Sequence, residues 1–86
     1  MRDSIKIAFG TVLRNRRLQQ NVSQEKLAEV AGLDRTYISQ IERGLKSPSI
    51  QTLLALAQAL HVQAHILISD LEHELSSTSS KEKAKE

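Results

Sequence analysis

The chain has 86 residues, 40% of them hydrophobic and only 2% aromatic, with a formal net charge of +2 and no cysteine. This composition allows one domain with one small core filled by Leu, Ile, Val and Ala, and it excludes a disulfide framework or a thiolate metal site. No run approaches the roughly 20 apolar residues of a membrane span, and the N-terminus lacks the apolar stretch of a signal peptide, so a cytoplasmic location is expected.

Ile5, Ala8, Phe9, Val12 and Leu13 recur at three- and four-residue spacing, which predicts an amphipathic helix from about Ser4 to Gln20. Asp3 or Ser4 is placed to cap its start. Asn21 follows it and tolerates the left-handed conformation of a helix-ending residue. Ser23 caps a short helix, Gln24 to Ala31, with Leu27, Ala28 and Ala31 inward. Lys26 stands where a complete capping box would carry Glu or Gln. Gly32 permits a tight turn. Asp34 caps a third helix running to about Arg43, with Ile38 and Ile41 inward and Gly44 at its end.

After the loop Lys46-Ser47-Pro48-Ser49, Ser49 caps a fourth helix whose apolar stripe is Ile50, Leu53, Leu54, Ala57 and Leu60. A fifth helix is expected from about Gln63 to Leu75. It carries Ala64, Ile66, Leu67, Ile68 and Leu71, more apolar surface than one core-facing stripe uses. Residues 76–86 are Ser-rich and then Lys/Glu/Ala; they read as a disordered polar tail beside a folded domain of residues 1–75. The β-branched residues never alternate with polar ones over the length of a strand, so the expected fold is all-α.

The second and third helices carry the functional signal. Two short helices joined by a tight glycine-containing turn form the helix-turn-helix pattern. With Gln24 as the first position, Leu27 is fourth, Ala28 fifth, Gly32 ninth, Ile38 fifteenth and Ile41 eighteenth. Ala28 sits where the helices cross and a large side chain would push them apart. Ile38 and Ile41 pin the second helix so that its outer face meets solvent and its N-terminal residues can enter a DNA major groove.

Phe9-Gly10, Leu13-Arg14, Arg17, Ser23-Gln24-Glu25, Leu27-Ala28, Gly32-Leu33, Ile38-Ser39, Ile41-Glu42-Arg43-Gly44 and Pro48-Ser49 together resemble the Xre/Cro/C1-type family of bacterial and phage repressors. The resemblance covers about Phe9 to Leu67. The run Leu33 to Ser39, followed by Ile41 to Gly44, looks most like the controller proteins of restriction–modification systems. The resemblance implies a compact five-helix, lambda-repressor-like fold that binds double-stranded DNA as a symmetric homodimer. It implies base reading by Arg35, Thr36, Tyr37 and Gln40, and a phosphate contact at Gln24. The chemistry agrees: arginine bonds bidentately to guanine, glutamine to adenine, and a helix N-terminus offers amides to phosphate. Charge and position add Arg43, Lys46, Ser47 and Ser49 as phosphate candidates, with Ser39 beside them. The resemblance further implies a buried pair between Arg17 and Glu42, whereas periodicity alone leaves Arg16 and Arg17 open. Asn21 departs from the usual glycine, and Gln63 stands where a Ser or Asp cap is common.

Charge is unevenly spread. Met1 to Leu60 holds nine Lys/Arg against five Asp/Glu, while His61 to Leu75 holds three acids and no Lys or Arg. The first part suits a polyanion and the last helix does not. His61 and His65 are four apart but lack a third ligand, so polar surface is expected there and no metal. Ala64, Ile66, Ile68 and Leu71 are expected at a homodimer interface, with burial inside the chain as the alternative. Ser23, Ser39, His61 and the acids form no nucleophile–base set, so no enzyme, cofactor or small-molecule effector is expected. The expected function is a dimeric transcriptional regulator on a near-palindromic operator, its third helices in successive major grooves about 34 Å apart. The alternative is a protein-interaction module, an antitoxin or adaptor, on the same fold.

Overall fold

The computed structural model describes the backbone of residues 2–85 and the side chains of residues 4–77. The helices are α1 (Arg2–Gln19), α2 (Gln24–Ala31), α3 (Arg35–Glu42), α4 (Ile50–Ala59) and α5 (Ala64–Lys85), and no strand occurs among the described residues. α1 begins at Arg2, so Asp3 and Ser4 lie inside it and neither caps it. α5 runs on to Lys85, into the segment read from sequence as a polar tail; the side chains of residues 78–86 lie outside the described residues.

Three helices start on side-chain caps. Ser23 accepts the N–H of Lys26 at 3.0 Å, Asp34 that of Thr36 at 2.7 Å, and Ser49 that of Thr52 at 3.1 Å. Each satisfies a donor that the helix itself leaves unpaired.

Four helices end on one shared device. Asn21, Gly32, Gly44 and His61 have φ of 57°, 72°, 76° and 60°. The residue after each returns its N–H five positions back, Val22 to Arg17, Leu33 to Ala28, Leu45 to Gln40 and Val62 to Ala57, at 2.9–3.2 Å. The left-handed residue donates three back, to Leu18, Glu29, Ile41 and Gln58 respectively. This is the Schellman closure, which satisfies the last carbonyls of each helix. Val22, Leu33 and Val62 then pack against the core, so the motif turns the chain inward as it ends the helix. His61 performs this role without being glycine or asparagine, and the sequence does not announce it.

The core joins Phe9, Val12 and Leu13 of α1 to Leu27 and Ala28 of α2, Ile38 and Ile41 of α3, Leu53, Leu56 and Ala57 of α4 with Leu60 at its end, and Leu67 of α5. The α4 stripe differs from the one expected. Ile50 and Leu54 are 73% and 55% exposed, whereas Leu56 is fully buried. The buried arc runs through Thr52, Leu53, Leu56, Ala57 and Leu60. α4 is apolar on two faces, and periodicity cannot say which of them meets the core. The helices close a ring in the order α1, α5, α4, α2, α3 and back to α1. α3, the helix of interest, is therefore held between α2 and α1.

A non-glycine residue held at positive φ stores strain of roughly 1–3 kcal/mol. His61 is exposed and loses no packing on truncation. His61→Gly should therefore raise stability by about 0.5–1 kcal/mol and Tm by a few degrees, after the larger unfolded-state entropy of glycine is counted. A thermal melt that falls would contradict the strain at this turn.

Candidate nucleic-acid interface

α2 and α3 are separated by Gly32, Leu33 and Asp34 alone. Leu27 and Ala28 face Ile38 and Ile41 across that turn, all within the core cluster. With its inner stripe fixed, α3 must show its other side. Arg35 and Thr36 are exposed, and Tyr37, Ser39 and Gln40 are half-buried. Tyr37 packs against the core cluster, which anchors its ring at the edge of the helix. Arg43, just past the helix, is exposed. Positions 36, 40 and 43 follow the helical repeat, with 35 and 39 beside them, and so form one continuous outer strip.

The depth of α3 is set by α1. A Cβ on Gly10 would lie 2.5 Å from the Ile41 carbonyl oxygen and 2.7 Å from that of Glu42. Only a residue without a side chain allows the α1 backbone to touch the end of α3. Gly10 thus sets how closely α1 approaches α3.

Two turns further along α1 the two helices are pinned by charge. Arg17 Nε donates to Glu42 Oε2 at 2.6 Å, and Arg17 Nη2 donates to Glu42 Oε1 at 3.0 Å. The side chains are only 11% and 4% exposed. Arg17 Nη1 also donates to the Val22 carbonyl at 2.9 Å, and Gln24 Nε2 donates to Glu42 Oε1 at 3.0 Å. The bonds to Glu42 push the Arg17 pKa up, against the opposing effect of burial. Arg17 is thus the arginine that pairs with Glu42. Its neighbour Arg16 instead reaches α5, where Nε donates to Asp70 Oδ2 at 2.6 Å.

The phosphate candidates fall into two groups. Lys46 and Ser47 are exposed in the loop after α3. Gln24 and Ser49 are engaged: Gln24 holds Glu42, and the Ser49 hydroxyl accepts the Thr52 N–H while donating to Thr52 Oγ1 at 3.0 Å. The four candidate interface residues on α5 also divide. Ala64 and Leu71 pack against the chain's own core, Ile66 is half-buried, and Ile68 is 39% exposed. Ile50 and Leu54 on α4 are more exposed than these, and Ile7, Val30 and Leu45 elsewhere are exposed to about the same degree as Leu54. His65 Nε2 lies 2.6 Å from Gln63 Oε1, and no set of three metal-ligating side chains is assembled among the described residues. Among the same residues no single helix is long and apolar enough to cross a membrane.

Residues 13–67 match the family model described as helix-turn-helix. The chain is 44% identical over 69 residues to control protein C.BamHI of Bacillus amyloliquefaciens, covering 79% of this chain and 85% of that one. It is 43% identical over 58 residues to an uncharacterized HTH-type transcriptional regulator of Mycobacterium tuberculosis, covering 67% of this chain but spanning only 41% of that regulator's length. Among solved structures, the clp gene regulator ClgR from Corynebacterium glutamicum superposes with a TM-score of 0.88 at 25% identity, over 94% of this chain and 86% of that one. The restriction-modification controller protein C.Esp1396I, solved as a tetramer with its natural 35 base-pair operator, superposes with a TM-score of 0.76 at 32% identity, over 83% and 93% of the two chains.

Two substitutions test how α3 is seated. Glu42→Ala strands a buried guanidinium and should cost about 3–5 kcal/mol in urea unfolding. An unchanged midpoint would reject the brace. Gly10→Ala improves helix propensity, yet it should lower stability by about 1–3 kcal/mol because its methyl group meets backbone that must move. A higher Tm for this variant would show that the close approach of α1 and α3 is not required.

Proposed function

The chain belongs to the helix-turn-helix family of transcriptional regulators, and from that premise we propose that it binds a near-palindromic DNA operator as a homodimer, with α3 in the major groove. The observation that carries this reading is the outer strip of α3: Arg35, Thr36 and Arg43 are exposed, and Gln40 half-buried, on a helix that Gly10 and Glu42 hold from behind. Arg35 is the guanine reader and Gln40 the adenine reader, each through a bidentate pair. Thr36 offers a hydroxyl and a methyl group, and Tyr37 a phenol on a fixed ring. Arg43, Lys46 and Ser47, with Ser39 at the strip's edge, contact phosphate. Gln24 and Ser49 contribute the backbone amides at the starts of α2 and α4, because their side chains are already bonded.

The dimer closes through Ile66 and Ile68 of α5 together with Ile50 and Leu54 of α4. Ile50, Leu54 and Ile68 are exposed apolar side chains of the kind an interface covers, and Ile66 is half-buried. Within the family, the likeness to C.BamHI and C.Esp1396I over most of their length supports a regulator of the restriction–modification controller kind. An endonuclease–methylase pair beside the gene would support that assignment, and its absence would count against it.

Gel-shift titration separates the roles. Arg35→Ala should relax the preference at one base pair, costing about 1–3 kcal/mol against the preferred base, while Lys46→Ala weakens all sequences alike and reduces the salt slope by about one unit. If Arg35→Ala weakened all sequences equally, its reading role would be wrong. If the wild-type chain showed no salt-sensitive DNA binding, the protein-interaction module would replace the regulator.

A further inference from the structure

We propose that Leu45 is itself a DNA contact, an apolar one that covers the deoxyribose face beside the phosphates that Arg43 and Lys46 hold; the inference rests on α3 and the loop after it facing DNA. It starts from an exception. An apolar residue completes each of the four Schellman closures: Val22, Leu33, Leu45 and Val62. Such a residue ordinarily packs back against apolar side chains. Val22, Leu33 and Val62 do so, against the core. Leu45 makes the same backbone bond, its N–H donating to the Gln40 carbonyl at 2.9 Å, yet it is 55% exposed and lies outside the core cluster. The one closure whose apolar residue faces water is the one that ends α3.

The backbone that carries Leu45 is fixed from two sides. Gly44 donates its N–H to the Ile41 carbonyl at 3.0 Å, which ties it to α3. Gly44 also rests on α1: a Cβ there would lie 3.0 Å from Ile7 Cγ1 and 3.2 Å from Ile7 Cα. An exposed leucine on a backbone already ordered meets a partner at little further cost in entropy. Its neighbours indicate which partner. Arg43, Lys46 and Ser47 are all exposed, so Leu45 is an apolar group with a cation on either side in sequence. The DNA backbone has the complementary order, charged phosphate alternating with apolar sugar, and contacts to it carry no sequence information. A second copy of this loop fits poorly. No Asp or Glu occurs between Glu42 and Asp70, so loop against loop would set like charges together.

An apolar contact of this kind takes surface out of water and releases no counterions, so salt separates it from a charge contact. The test titrates the full chain with its selected duplex and with a random-sequence duplex over a salt series, alongside a thermal melt and sedimentation of each variant. Leu45→Ala should weaken binding to both duplexes by about three- to ten-fold and leave the salt slope unchanged. Leu45→Met, which keeps the apolar surface, should bind as the wild type does. Val30→Ala removes a side chain equally exposed, but on α2, and should leave affinity unchanged. Unchanged affinity in Leu45→Ala overturns the proposal, as does an equal loss in Val30→Ala. A flattened salt slope overturns it by showing that Leu45 only positions Arg43 and Lys46. A loss confined to one base pair would make Leu45 a base contact, and a shift toward monomer would place it between copies of the chain; each also overturns it. If Leu45→Ala unfolds, Leu45→Gln decides: a folded variant of that polar kind with full affinity overturns the sugar contact. A wild-type chain that binds neither duplex removes the DNA-binding reading before any substitution is made.

Discussion

The position of α3 depends on one carboxylate. Glu42 is the last residue of α3, at the negative end of the helix dipole, where a negative charge is unfavourable. It is nevertheless almost fully buried, which the fork of Arg17 and the amide of Gln24 make tolerable. A buried pair of this sort adds little net stability over an apolar replacement. What it supplies is geometry: two parallel bonds from a planar guanidinium fix orientation as well as distance. Arg17 also holds the carbonyl of Val22, so the same group ties α1, the α1–α2 turn, α2 and α3. Gly10 brings the α1 backbone to the same helix end, and the contact and the ion pair act together.

Most of this arrangement was legible in the sequence because it is local. Caps at Ser23, Asp34 and Ser49, and turns at Asn21, Gly32 and Gly44, depend on residue types that favour those conformations by their own chemistry. The crossing of α2 and α3 was legible through Ala28, Ile38 and Ile41. What escaped was set by packing between distant segments. Periodicity did not choose Arg17, since Arg16 lies nearer the centre of the apolar stripe, and each arginine has its own acidic partner far along the chain. It also placed Ile50 and Leu54 inward, because α4 is apolar on two faces and only its neighbours decide between them. His61 was missed for another reason. Its left-handed turn is imposed by Val62 entering the core and not by any preference of histidine.

The same division orders the functional surface. On the outer side of α3 and the loop after it the residues divide by burial: Tyr37, Ser39 and Gln40 are half-buried, with Tyr37 against the core, and the others are exposed. Arg35, Thr36, Arg43 and Lys46 are of the second kind, so they can change without loss of the fold. The side chains of Gln24 and Ser49 complete the scaffold, one holding Glu42 and the other capping α4. The apolar excess is likewise shared, between α5, whose Ala64 and Leu71 close the core, and α4, whose Ile50 and Leu54 do not.

Selection of bound DNA from a random pool by the intact chain tests this account most directly. Enrichment of two inverted half-sites is expected, their centres about one helical turn apart, roughly 10 base pairs. Enrichment of a single unrepeated half-site would contradict the dimer, and no enrichment over the starting pool would contradict sequence reading by α3.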